Sequence, residues 1–165
     1  MDGFVAHVAA FRPIEVMDIR PLALAHERIA FLRRDLMAAG ADIEGITDSL
    51  SCLHALEHFG LGRYGDPIDP DGHLKGFRAL HAMLEPGGTL YLSVPIGEPG
   101  VHFNAHRVFA PADVLGWAPR AFALTRFDYV DDAGDLHADV SVGETPPLAY
   151  GCGIYTLRKR APADG

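Results

Sequence analysis

The sequence predicts an α/β fold, with a mostly parallel sheet covered by helices on both faces. Three observations carry that expectation. Short apolar runs of strand character alternate with runs of helical period along the chain. The clearest strand, TLYLSV at 89–94, directly follows a helical segment closed by Pro86-Gly87-Gly88. The composition, 48% hydrophobic and 22% charged, is that of an ordinary globular chain.

The elements follow in order. Phe4, Val5, Val8 and Phe11 recur at helical spacing in GFVAHVAAF, predicting a helix over 3–11 that Pro13 stops. Ile14 to Asp18 reads as a short strand. IAFLRR at 29–34 reads as a second strand rather than the end of a helix starting near Ala23, with Asp35 closing it as Asp18 closes the first. SLSCL at 49–53 is a third. The loop GLGRYGDPIDPDG at 60–72 is dense in Gly, Pro and Asp and ends in helix-start signals. Asp69 can cap, Pro70 suits the first helical position, and Asp71 favours the positive helix end. The helix over 73–84 places Leu74, Phe77, Leu80 and Leu84 on one face, and Pro86-Gly87-Gly88 ends it. A helix near 111–118, a strand near 121–129, a turn at 131–134 and a last strand at 153–157 complete the pattern.

The chain has 165 residues, the length of one ordinary domain, read as residues 1–160 with a tail at 161–165. Fourteen Lys and Arg against 22 Asp and Glu give a net charge of −8. A nucleic-acid backbone or an anionic membrane is repelled on average, so neither is expected as a partner. No apolar run approaches the roughly 18 residues of a membrane helix. MDGFVAHVAAFRP lacks a basic region and a small-residue cleavage site, so it does not read as a secretory signal, and a cytoplasmic location is expected. Cys52 and Cys152 show no CxxC spacing and read as free thiols.

Several motifs bear on chemistry. HALEH at 54–58 has the H-x-x-E-H form of an inverted zinc-protease signature. That chemistry needs both histidines on one helical face, whereas here a strand runs into His54 and a Gly-rich loop follows, so no metal site is expected. Asp66, Asp69 and Asp71 fail as a calcium loop, whose twelfth position would be Arg78. GLGRYG lacks the Lys and Ser/Thr of a phosphate loop. Asn104-Ala105-His106-Arg107 follows the strand 89–94 at the sheet's carboxyl edge, where substrate is received. His54, His58 and His106 are candidate general bases, with Glu57 orienting them. Glu57, Arg63, Tyr64, Asn104 and Arg107 are candidate substrate contacts. The plainer reading makes one histidine of 54–58 a buried, hydrogen-bonded side chain and pairs Arg107 with an acidic neighbour.

DSLSCLHALEHFG, a helix, and then MLEPGGTLYLSVP together resemble the second half of a class I S-adenosylmethionine-dependent methyltransferase. SCLHALEHFGLGRYGDPIDPDG together with FNAHRVF resembles, more narrowly, the methyltransferase-like DUF268 group. The resemblance implies a three-layer, Rossmann-like sheet of order 3-2-1-4-5-7-6 with strand 7 antiparallel. It implies that Asp18 takes the cofactor ribose hydroxyls, that Asp35 and Leu36 lie near the adenine, and that Leu53 and His54 lie beside the methyl donor. The family begins with a strand and a glycine-rich turn, whereas Met1-Asp2-Gly3 falls inside the expected first helix. The resemblance therefore implies an N-terminally truncated sheet, S-adenosylmethionine binding that is weak or lost, and a homo-oligomer that covers the open strands. It implies a methyltransferase-like protein acting on a small-molecule acceptor. The alternative is a non-catalytic interaction module with a degenerate methyltransferase fold.

Overall fold

The computed structural model describes residues 3–22 and 26–161. Ala23, Met1, Asp2 and the tail beyond Ala161 lie outside the described residues. The chain forms two compact units, Met1–Leu36 and Met37–Gly165.

In the first unit, α1 (Gly3–Phe11) precedes β1 (Ile14–Asp18), which pairs in parallel with β2 (Ile29–Arg33), Ile14 opposite Ile29 and Asp18 opposite Arg33. Pro13 separates helix from strand, as expected. Of the apolar residues read there, Val5 and Val8 are half-buried on one face with the buried Ala9, while Phe4 and Phe11 are 40% and 75% exposed.

The second unit begins with 3-10 turns at Leu36–Ala38, on the boundary, and Ala41–Ile43. Then come β3 (Thr47–Leu53), a 3-10 turn at Leu56–His58, α2 (Gly72–Met83) and β4 (Leu84–Gly97). A hairpin of β5 (Gly100–His102) and β6 (His106–Val108) follows, then α3 (Asp113–Gly116), β7 (Phe122–Val130), β8 (Leu136–His137) and β9 (Tyr150–Lys159). The sheet order is β3-β4-β9-β7-β8. β3 and β4 are parallel, while β9 runs antiparallel to both β4 and β7. The sheet is thus mixed rather than purely parallel, with β9 in the antiparallel place that the resemblance implies for strand 7. The segment 131–149 between β7 and β9 carries no α-helix of the kind that usually makes a parallel crossover, and the chain folds back antiparallel.

Pro86-Gly87-Gly88 does not terminate α2, which ends at Met83 with Leu84 already extended. It forms an irregularity inside β4, where Leu84 faces Thr47 and Thr89 faces Ser49, and Gly87 takes φ +79°. The core lies on one face of this sheet. Leu90, Leu92, Val94 and Ile96 of β4 are fully buried with Tyr155 of β9. α2 covers them, its Phe77 ring 5.3 Å from those of Trp117 and Phe122. The opposite face is more open, with Leu53 38% and Tyr91 44% exposed. Asp69 lies two residues before the helix cap. Its carboxylate accepts the Asp71 N–H at 2.9 Å and pairs with Lys75, while Asp71 occupies the cap position without a side-chain bond. Among the described residues no helix is long and apolar enough to cross a membrane.

His73, in the first turn of α2, packs its ring 5.5 Å from those of Phe109 and Trp117. Its Nδ1 is buried without a hydrogen-bond partner among the described residues. Burial first, and the Arg107 charge second, lower its pKa to about 4. The unfolded chain therefore takes up this proton before the folded one. The contribution to stability is complete above about pH 6.5 and is lost as pH falls through 4. Urea midpoints measured across that window are expected to fall, and His73→Phe is expected to flatten the slope. An unchanged slope in the variant would refute this account.

Candidate functional site

The parallel pair β3 and β4 opens at its carboxyl ends, where ligands bind in such sheets. β3 stops at Leu53, and His54 turns the chain with φ +47°, a left-handed conformation unusual for a non-glycine residue. Its backbone N–H is held by the Ser93 carbonyl at 3.0 Å and the Ser93 hydroxyl at 3.2 Å. The 3-10 turn that follows swings Glu57 inward, so that its side chain is only 2% exposed. β4 continues into the hairpin, whose register places His102 opposite His106. Phe109, just beyond β6, returns to β4 by donating to the Pro95 carbonyl at 3.1 Å.

These elements bring together a polar cluster. Glu57 Oε1 lies 3.2 Å from His54 Nδ1 and 3.7 Å from His58 Nε2. His58 Nδ1 donates to the Ala105 carbonyl at 2.5 Å. The His106 ring lies 6.4 Å from that of His58, 4.9 Å from His102 and 5.7 Å from Tyr150. His54 Nε2 sits 3.1 Å from Cys152 Sγ. The loop 60–66 forms a wall. The Tyr64 ring is 5.6 Å from His58, and Arg63 Nη1 donates to the Asn104 carbonyl at 3.0 Å. The Cys152 sulfur first, and Glu57 second, push the His54 pKa up to about 10. Burial, reinforced by the charges of His102 and His58, lowers that of His106. One site thus holds a proton-retaining imidazole and a proton-shedding one.

A family described as "Caenorhabditis protein of unknown function, DUF268" matches residues 26–137, most of the chain. The chain belongs to the DUF268 family. No curated protein matches it in sequence. Solved structures similar in fold include the 1,6-didemethyltoxoflavin-N1-methyltransferase of Burkholderia thailandensis, with bound 1,6-didemethyltoxoflavin and S-adenosylhomocysteine. The identity is 18% and the TM-score 0.60, over 89% of this chain and 61% of that one. The N-methyltransferase NodS of Bradyrhizobium japonicum WM9, in complex with S-adenosylhomocysteine, shows 14% identity and a TM-score of 0.58, over 90% and 67%. The [4+2]-cyclase SpnF shows 12% identity and a TM-score of 0.67, over 95% and 71%. The DUF268 chain therefore spans about three fifths to two thirds of the length of the two methyltransferases. At these identities the likeness is one of fold, and SpnF shows that a cyclase can share that fold.

The strand orders of this DUF268 chain agree with that fold. β2-β1 corresponds to 3-2, and β3-β4-β9-β7 corresponds to 4-5-7-6 with strand 7 antiparallel. The site residues read from sequence fare unevenly. His54, Glu57, His58, His106, Arg63 and Tyr64 are brought together. Glu57 is too buried to be a substrate contact, and it lies against two histidines instead. Arg107 is placed differently from expectation. It is 4% exposed and donates to the carbonyls of Phe59 at 2.5 Å, Pro70 at 3.2 Å, Asp69 at 3.3 Å and Glu57 at 3.4 Å. It therefore clamps the site's backbone and pairs with no acidic side chain there. Asn104 occupies the hairpin turn with φ +54°, its side chain exposed. Asp66 organises the 60–66 loop by accepting the backbone N–H groups of Gly60, Gly62 and Tyr64. Burial works against its charge, but these donors outweigh it and lower its pKa.

In the first unit, Asp18 ends β1 as expected, but both carboxylate oxygens are engaged. Arg20 Nε and backbone N–H donate to Oδ1 at 3.0 and 2.8 Å, and Arg20 Nη2 donates to Oδ2 at 2.6 Å. The Arg20 side chain is the leading influence lowering the Asp18 pKa. A ribose diol would have to displace that guanidinium, so Asp18 as it stands does not fit the ribose role. Asp35 follows β2, and Leu36 opens a half-buried 3-10 turn. Leu53 ends β3, beside the cluster. Sequence reasoning missed Cys152, Tyr150 and His102. Only the pairing of β9 with β4 and of β5 with β6 brings them to His54 and His106, and the sole local signal was the two histidines flanking Phe103-Asn104-Ala105.

Proposed function

We propose that this DUF268 chain is an S-adenosylmethionine-dependent methyltransferase-like protein. It binds a small-molecule acceptor beside His54, His58 and His106, with Glu57 buried behind the first two, and holds the cofactor weakly. The observation that supports this reading is the position of the cluster, at the carboxyl ends of β3 and β4 in a sheet of methyltransferase order. His106 is the base of the proposal. With its pKa lowered it is neutral at pH 7 and able to accept a proton from an acceptor hydroxyl or amine. Arg63 and Tyr64 wall the acceptor, and His58, anchored on Ala105, holds the wall to the hairpin. Asp18, engaged by Arg20, does not offer its carboxylate to a cofactor ribose in this arrangement.

That same pair favours a second reading, the interaction module that has lost cofactor use. Calorimetric titration with S-adenosylhomocysteine separates the two. Weak binding is expected for the native chain. Arg20→Ala, which removes the guanidinium from the Asp18 carboxylate and leaves the backbone N–H on Oδ1, is expected to tighten it by roughly tenfold, the worth of one charge-assisted hydrogen bond. Adding Asp18→Ala should remove the gain. Silence from both the native chain and Arg20→Ala would reject the methyltransferase reading in favour of the module.

A further inference from the structure

We propose that Cys152, His54 and Glu57 form a nucleophilic triad that S-alkylates Cys152 with a soft carbon electrophile. This proposal is independent of methyl transfer and of His106. The three groups are ordered as a nucleophile, a base and an orienting acid. Sγ of Cys152 lies 3.1 Å from His54 Nε2, and His54 Nδ1 lies 3.2 Å from Glu57 Oε1. With Nδ1–H donating to the carboxylate, Nε2 is left facing the thiol. Glu57 is 2% exposed, and its Oε2 has no hydrogen-bond partner among the described residues. A buried carboxylate in that state is costly as mere scaffold, and it is well suited to stabilise an imidazolium.

The backbone supports the same assignment. His54 takes φ +47° and is pinned by two bonds to Ser93. Left-handed backbone at a bulky residue is sustained where the surroundings fix a side chain in place. Cys152 is half-buried on β9, on the sheet face opposite Tyr155, so a ligand can reach it. The other thiol, Cys52, is buried on β3, and burial first, with Glu57 second, pushes its pKa up to about 12.

The electrophile is assigned by what surrounds the sulfur. Cys152 is flanked in the ladder by Pro95 on β4 and Val130 on β7. Backbone N–H groups of a strand paired on both sides are spent on the ladder, so they offer no oxyanion hole for acyl chemistry. Displacement at a saturated carbon needs none. In that step the proton drawn from Sγ is already held on His54 Nε2, and the sulfur attacks as the thiolate of that pair, its lone pair forming the S–C bond. The carbon–leaving-group bond breaks with its electron pair on the leaving group. The imidazolium is balanced by Glu57.

Iodoacetamide is the probe, with iodide as the leaving group, and peptide mass spectrometry reads each cysteine. In the native chain at pH 7.5, Cys152 is expected to be carbamidomethylated well ahead of Cys52 and faster than glutathione under the same conditions. His54→Asn keeps a residue that tolerates the left-handed backbone. It is expected to slow Cys152 by roughly 10- to 100-fold. Glu57→Gln should slow it by less. Cys152 reacting no faster than glutathione in the native chain would overturn the proposal whether or not the variants fold. So would an unchanged rate in a folded His54→Asn variant.

Discussion

Arg107→Ala is expected to cost on the order of 3–5 kcal/mol of folding stability, because it strips a buried guanidinium from four carbonyl oxygens at once. The side chain is 4% exposed and donates to Glu57, Phe59, Asp69 and Pro70. Those carbonyls belong to the turn carrying Glu57 and to the loop entering α2, which have no strand to satisfy them. The Asp69 carbonyl also accepts the Gly72 N–H at 3.0 Å, so alanine would strip the other three of the guanidinium donors they have here. Burial lowers the guanidinium's pKa, and the charges of Asp69, Asp66 and Asp71 act against that shift. Arg107→Lys preserves the charge but not the fork of donors, so an intermediate loss is expected. Urea denaturation measures both. A loss below about 1 kcal/mol for the alanine variant would mean that the carbonyls find other donors.

Gly60→Ala is the second large effect, expected at about 2–4 kcal/mol from a steric and a conformational cost together. Gly60 has φ +76°, and a Cβ there would sit on the Asp69 carbonyl oxygen and 3.1 Å from the Gly72 Cα. Both obstacles are backbone, so neither can rotate away. Asp69 N–H donates to the Gly60 carbonyl at 2.8 Å, which ties the start of the 60–66 loop to its exit into α2. Gly65→Ala is the internal comparison. Its φ is +83°, but nothing lies within 4 Å of the added carbon. Its cost is therefore the left-handed penalty alone, about 1 kcal/mol. Equal losses at the two positions, in urea titrations, would show that packing against Asp69 contributes nothing.

Both effects concern how a loop of unusual composition is held, and that loop was legible only in part. GLGRYGDP announced a structured, glycine-dependent turn, and the resemblance to the DUF268 group rested on it. That Asp66 would gather three backbone N–H groups was not readable, since the same Asp could as well have capped or faced solvent. Arg107 is the plainer case. An arginine on an acidic chain suggests an ion pair, yet its partners are carbonyls contributed by residues 57–59 and 69–70. No spacing rule connects those segments with position 107.

The elements themselves were fixed locally. Pro13 had to stop the first helix, because proline has no amide hydrogen to give. TLYLSV had to be a strand, because its alternation suits a pleat with one buried face. The α/β class and the strand order followed from such local facts and from the resemblance. The direction of β9 relative to β4, and with it the placing of Cys152 and Tyr150 on the His54 and His106 side, was decided only in three dimensions. Apolar period determines which residues of a strand face the core. Which strand lies alongside which is set by the summed packing of distant segments, and a contact across 98 positions of chain leaves no mark in either neighbourhood.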